Sequence, residues 1–206
     1  PAGHPLAIRQ RGLTDAVIME WDAQNDEINP QTMPLTQLLN TKIDKAQDVV
    51  VRKELEDELL PYINSDLICY YAEGPDSLVA AQREKWGGLQ QIFEEETGIS
   101  LVTTAGISYV EQDPRLAKMG AAYLEGLDAA HFTAFQTLAV PLGSFFITKA
   151  FVDGHITTHE AYEAAVLDEL HQVEIWGKDM DVEKKHEALR QELSEVENFL
   201  NLIAQK

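Results

Sequence analysis

The end of the chain sets the strongest constraint on the fold. Val182, His186, Leu189, Leu193, Val196, Leu200 and Ile203 recur at alternating spacings of four and three, with charged residues between them. That is the pattern of one long helix with a single apolar seam. A lone helix cannot bury its own seam, so other helices must be supplied to cover it. The preceding segments read as those helices. Asp113-Pro114 offers an N-cap and a first-turn proline for a helix reaching about Glu125, ahead of Gly126. Asp128 caps the next, which Pro141 interrupts; Leu142 to Val152 continues, and Gly154 closes it. Thr157-x-x-Glu160 has the form of a capping box, opening a predicted helix from Thr158 to Trp176. Residues 113–206 are therefore expected to be an all-α helical bundle.

Residues 1–112 read differently, as a small mixed α/β region in which a sheet accompanies helices. Leu6-Ala7-Ile8 is a candidate strand in need of partners. Leu13, Ala16, Val17, Trp21 and Gln24 share a helical face to about Asp26, and Asn29-Pro30 makes a turn. A second helix begins after Met33 with Pro34 in its first turn, and a third runs from Asp48 to Leu60, stopped by Pro61. Leu67 to Tyr71 has the composition of a strand or a buried extended segment. Pro75 opens a long helix that Gly98 ends, with Gly87-Gly88 as a candidate kink. Ile99 to Val110 reads as paired strands or a strand with a bulge at Gly106. The fold class is α+β, with the boundary near Gln112.

Composition narrows the function. Lys and Arg number 16 against 35 Asp and Glu, a formal charge of −19. Such a chain repels a phosphate backbone, which argues against nucleic-acid partners. The most apolar run, Leu138 to Ile147, is too short and too broken by Pro141 and Gly143 for a membrane span. Pro1-Ala2-Gly3-His4-Pro5 fits neither a secretory signal nor a transit peptide. The single cysteine, Cys69, has no partner for an internal disulfide and no zinc-ligand neighbour, which fits a reducing compartment.

Catalytic motifs are scarce. There is no Gly-rich phosphate loop, HExxH pair or GxSxG elbow, so no catalytic or cofactor-binding residue is assigned. Ser144 after Gly143 reads as a helix-packing residue and Cys69 as a small buried hydrophobe. Asp168-x-x-His171 and Glu183-x-x-His186 place a carboxylate and an imidazole one turn apart, as di-iron bundles do. A metal-dependent bundle enzyme is therefore the alternative reading, short of two further inward carboxylates. His155 and His159 read as surface residues. Glu169 stands out, because it falls within the apolar stripe Tyr162, Ala165, Val166, Leu170, Val173 and Trp176, with Gln172 one turn on. A carboxylate there is either hydrogen-bonded internally or kept at a groove for a partner. Glu20, beside Trp21, reads as a solvated helix charge.

Glu20-Trp21-Asp22-Ala23-Gln24, then Thr32-Met33-Pro34-Leu35-Thr36 with Asn40 and Asp44, then Asp66-Leu67-Ile68-Cys69-Tyr70, then Gln82 with Trp86, and finally Asp168-Glu169-x-x-Gln172-Val173-x-x-Trp176-Gly177 follow one another in an order that resembles the Atp-twelve family. Members of that family are assembly chaperones for the α subunit of F1 ATP synthase, and the resemblance runs from about Pro1 to Gly177. It implies a non-catalytic protein without cofactors, monomeric when free, that holds a new α subunit until the β subunit takes its place. By matching positions it implies that Glu169 is the functionally important acidic residue, with Asp168, Gln172 and Trp176 shaping the same partner-binding surface. Family members usually carry further β-structure and a basic-Thr-Pro sequence just before the position of Pro1, so the small amino-terminal sheet is expected to be incomplete. Arg9-Gln10 stands where the family often has Pro-Ser, and the acidic tail after Gly177 matches no family motif. A bacterial cytoplasm is the compartment favoured, with the mitochondrial matrix its eukaryotic counterpart.

Overall fold

Helix formation begins at Arg11 in the computed structural model, which describes residues 3–177 and 179–205. The expected strand at Leu6 to Ile8 does not form among the described residues, and Leu6 and Ile8 instead rest against the core. The first helix, α1 (Arg11–Asp22), stops short of Asp26 because Gln24 turns the chain away. The Gln24 amide donates to the Glu20 carbonyl at 2.9 Å, and its oxygen accepts from the Asn29 N–H at 2.8 Å. Helix α2 (Pro34–Thr41) starts at its proline and runs into a π-helical turn, Lys42–Ala46. Asp48 caps α3 (Val49–Leu59) by accepting from the Val50 and Val51 N–H groups, and Pro61 falls in the 3-10 turn that follows.

The β-structure is smaller than the sequence suggests, and side chains explain why. The Asp66 carboxylate accepts the Ile68 N–H at 3.2 Å and folds Leu67–Cys69 into a 3-10 turn, leaving β1 only Tyr70–Tyr71. Helix α4 (Asp76–Thr97) runs unbroken through Gly87-Gly88 and ends on Gly98, whose φ of 67° is the left-handed stop that favours glycine. Residues 99–110 do not pair with themselves. Strand β2 (Thr104–Ala105) lies parallel to β1, Tyr70 opposite Thr104 and Tyr71 opposite Ala105. Upstream of it, the buried Gln112 side chain takes the place of a strand partner, accepting the Val102 N–H at 3.0 Å and donating to the Val102 carbonyl at 2.8 Å.

The remainder is helical. It comprises α5 (Pro114–Gly126), α6 (Ala129–Leu142), α7 (Phe145–Val152), α8 (Thr158–Ala165), α9 (Leu167–Trp176) and α10 (Met180–Ala204). Pro141 is tolerated because α6 ends one residue later, with Gly143 left-handed at φ 61°. Helix α7 is thus a new helix, capped by the Ser144 hydroxyl accepting the Ile147 N–H at 3.0 Å. The capping box forms as read: the Thr157 hydroxyl takes the Glu160 N–H, and Glu160 reaches back to the Thr157 N–H. Helix α10 lays its seam against α1, α2, α6 and α8. His186, Leu189, Leu193 and Val196 are buried there, joined by Phe199, a core residue outside the predicted seam. A single apolar cluster runs from Leu13 to Phe199. The class is α+β, a minimal parallel pair set against helices. No helix among the described residues is long and apolar enough to cross a membrane.

Asp66 ties the two halves together. Besides Ile68, its fully buried carboxylate accepts the Ser144 hydroxyl at 2.6 Å and the Phe146 N–H at 3.1 Å. Burial pushes this carboxyl up to about 7, opposed by those hydrogen bonds. Cys69 is buried as read, and desolvation, with the Asp66 charge, pushes its thiol up to about 12, which leaves it inert.

Candidate functional site

The long helix expected from Thr158 to Trp176 is two helices. Val166 leaves helical geometry at φ −112° and ψ 24°, separating α8 from α9. The break re-aims everything after it. Tyr162 and Val166 are buried, and Leu167 joins them, but Leu170 and Val173 are only half-buried. Glu169 and Gln172 are exposed, and Trp176 is 82% exposed. Past Val166 the apolar stripe thins to Leu167 and the half-buried Leu170 and Val173, Glu169 stands outside it, and the internally bonded reading of this carboxylate is corrected. Glu169, Gln172 and Trp176 fall at i, i+3 and i+7, one outward row along α9. Ile175, 57% exposed, lies beside them.

Asp168, one turn before Gln172 and so at the edge of that row, turns its side chain to α4. Its Oδ1 accepts the Gln82 side-chain N–H at 2.7 Å, so it holds α9 to α4 instead of sharing the outer surface. Gln82 is itself fully buried and accepts the Ala72 N–H at 2.8 Å, linking α9 to the segment that follows β1. One turn along α4, the Trp86 indole donates to the Ala164 carbonyl at 2.9 Å, and Gln90 donates to the Ile68 carbonyl at 2.7 Å. His171 meets the Ser77 hydroxyl at 2.9 Å. Helix α4 thus braces α8, α9 and β1 through side chains spaced along one face, and the exposed row of α9 sits on a braced helix.

The paired carboxylate and imidazole motifs do not converge. His171 is engaged by Ser77, while His186 is buried with its ring edge-on to Tyr162, centroids 5.7 Å apart. Among the described residues, the group of three potential metal donors is Glu96, Asp153 and His155. Sequence reasoning missed that cluster because its members come from distant segments. The Lys149 ammonium already fills the cation's place, 2.6 Å from Glu96 and 2.7 Å from Asp153, and His155 lies 2.7 Å from Glu96. His159, exposed on α8, lies 3.4 Å from Glu163.

Glu20 is not a solvated charge. Its carboxylate reaches from α1 to the start of α2, accepting the N–H groups of Leu35 at 2.7 Å and Thr36 at 2.8 Å, and the Thr36 hydroxyl at 2.7 Å. Pro34 and Met33 provide no side-chain cap, so Glu20 supplies one across space. A Glu spaced one loop ahead of an uncapped helix was the available signal.

Residues 1–94 match the family model described as ATP12 chaperone protein. The chain is 25% identical over 189 residues to the protein named atp12, mitochondrial, of Schizosaccharomyces pombe, covering 88% of this chain and 64% of that protein. It thus spans just under two thirds of that relative's length. Among solved structures it resembles Atp12 from Paracoccus denitrificans, with a TM-score of 0.90 and 30% identity over 98% of this chain and 86% of that one. It also resembles the Atu1473 protein of Agrobacterium tumefaciens, with a TM-score of 0.84 and 29% identity over 98% and 74% of the two chains.

Proposed function

Because this chain belongs to the ATP12 chaperone family, we propose that it is an assembly chaperone that binds the free α subunit of F1 ATP synthase, keeps it from aggregating and releases it to the β subunit. The observation that carries this reading is the outward row Glu169, Gln172 and Trp176 on α9. An exposed indole and a carboxylate on a braced helix suit an apolar patch on the client with an Arg or Lys at its edge. Glu169 is the acidic contact, Trp176 the apolar anchor and Gln172 the polar link between them. Asp168 acts through Gln82, setting the pose of α9. The protein works as a monomer before it meets its client, in the bacterial cytoplasm or the mitochondrial matrix, with no bond made or broken.

Co-expression with the α and β subunits tests the proposal. The chain is expected to co-elute with α alone in size-exclusion chromatography and to lose it when β is added. The complex should persist at raised ionic strength, because apolar contact carries it, whereas adhesion of an acidic protein to basic partners would be screened. Binding to β in preference to α, or loss of the complex in 0.5 M salt, on the order of a 4 Å Debye length, would overturn the reading.

A further inference from the structure

A second exposed apolar element lies in the loop that follows β2, joined to α9 through one short intervening segment. Ile107 is completely exposed and Tyr109 is 67% exposed, two large side chains on a loop that buries neither. The loop is not free to swing away. The Gly106 N–H donates to the Tyr71 carbonyl at 2.8 Å, extending the β1–β2 pairing by one bond, and φ at Gly106 is 77°, so the chain turns sharply there and points Ile107 outward.

Residues 73–77 connect this loop to α9. On one side the Glu73 side chain packs against Gly106, 3.2 Å from where a Cβ would sit. On the other, Ser77 is bonded to His171. The Ile107 loop and α9 therefore flank one short segment, itself exposed from Glu73 to Ser77.

The segments that build this surface carry carboxylates and no cations. None of residues 66–82, 98–114 and 164–177 is Lys or Arg. The cations next along the chain are Arg83, Arg115 and Lys178, and Arg115 is committed to Asp113 at 2.6 Å. Against that stand Glu73, Asp76, Glu111, Glu169 and Glu174, all exposed and without an ion pair among the described residues. Apolar side chains set among unneutralised carboxylates repel an acidic partner and a second copy of this chain alike, and favour an apolar segment edged with cations.

We propose that the Gly106–Tyr109 loop and the outer row of α9 form one two-part docking surface for an apolar segment of the client bordered by Arg or Lys side chains, Ile107 and Trp176 being its apolar anchors. This rests on the reading of the protein as an α-subunit chaperone, and it adds a contact element that no motif carried.

The test uses the full chain with purified F1 α subunit. Ile107→Asp is expected to weaken capture at least about tenfold while circular dichroism stays unchanged, the loss typical of a buried anchor. Val49→Asp, an equally drastic change at an exposed position of α3, is the control and should bind as the parent does. A photo-crosslinking residue at position 107 should join the chain to α, and peptide mapping should place the crosslink within a segment that carries Lys or Arg. If the parent captures α but Ile107→Asp captures it equally and position 107 yields no crosslink, the docking surface is wrong and the chaperone reading stands. If the parent forms no complex with α, both fall. Dimerisation of the chain through position 107 would also overturn the proposal.

Discussion

The Ser144 hydroxyl donates a 2.6 Å hydrogen bond to the Asp66 carboxylate across 78 residues of sequence. That contact places a fully buried acid at the amino end of α7, where the Phe146 N–H and the positive pole of the helix also face it. Replacing Asp66 by Ala orphans those buried donors and should cost about 3 kcal/mol in urea unfolding.

Asp66 also carries a pH signature. Its carboxyl is raised from 3.8 to about 7 by burial. Between those values the folded chain holds a proton that the unfolded chain has released, so this group's contribution is fully present below about 3.8 and is lost as the pH rises through 7. Asp66→Asn cannot titrate. The stability of the parent minus that of Asp66→Asn should therefore be larger at pH 5 than at pH 7.5, read from urea midpoints at both. An equal difference at the two values would show that the hydrogen bonds, and not desolvation, dominate the site.

Glu20 offers a simpler case. Glu20→Ala removes the cap of α2 and leaves the Leu35 and Thr36 N–H groups unanswered, which should lower stability by about 1–2 kcal/mol. Glu20→Gln keeps one acceptor oxygen and should lose less. Since both N–H groups lie far from α9 in sequence, capture of the client by the folded fraction should not change.

Local signals were legible in the sequence where one or two side chains decide the outcome. Asp113 and Asp128 cap the helices they were read to cap, the third helix starts at Asp48 as read, the Thr157 box closes, and Gly98 stops α4. What was not legible depends on partners from elsewhere in the chain. The amino-terminal strand at Leu6 to Ile8 and the paired strands of 99–110 failed because β-pairing is non-local, and Gln112 took up the backbone groups of Val102 instead. The site suffered from one residue. Periodicity carried the stripe of α8 straight into α9, but a one-residue departure at Val166 turns Glu169 from the core to solvent. The motif pointed to α9, while the side chain that turns to α4 could be told from those left exposed only once Gln82 was seen to claim Asp168.

That sorting makes Asp168 and Glu169, neighbours in sequence, behave oppositely on substitution. Glu169→Gln and Glu169→Lys should both leave stability within about 0.5 kcal/mol of the parent, because the side chain is exposed. Capture of the α subunit should fall for Gln and fall further for Lys, which places a cation against the cationic edge proposed for the client. Asp168→Ala instead strands the buried Gln82 amide and should cost about 1–2 kcal/mol. Thermal melts paired with pull-down separate the two, and a folded Glu169→Lys protein with undiminished capture would remove that residue from the docking surface.

Trp176 gives a direct optical reading of the same surface. The three tryptophans differ sharply in exposure, Trp86 at 1%, Trp21 at 45% and Trp176 at 82%. In a Trp21→Phe background, emission from the free chain should combine a buried component from Trp86 with a solvent-exposed one from Trp176. Binding of the client should shift the exposed component to shorter wavelength as the indole leaves water, while Trp86, fixed to the Ala164 carbonyl, should not respond. Trp176→Ala should abolish the shift and weaken capture at least about tenfold, since a large aromatic at the centre of an interface carries a disproportionate share of its binding energy. A complex that forms with emission unchanged would mean that the client sits elsewhere, because an indole this exposed cannot be covered without its solvent environment changing.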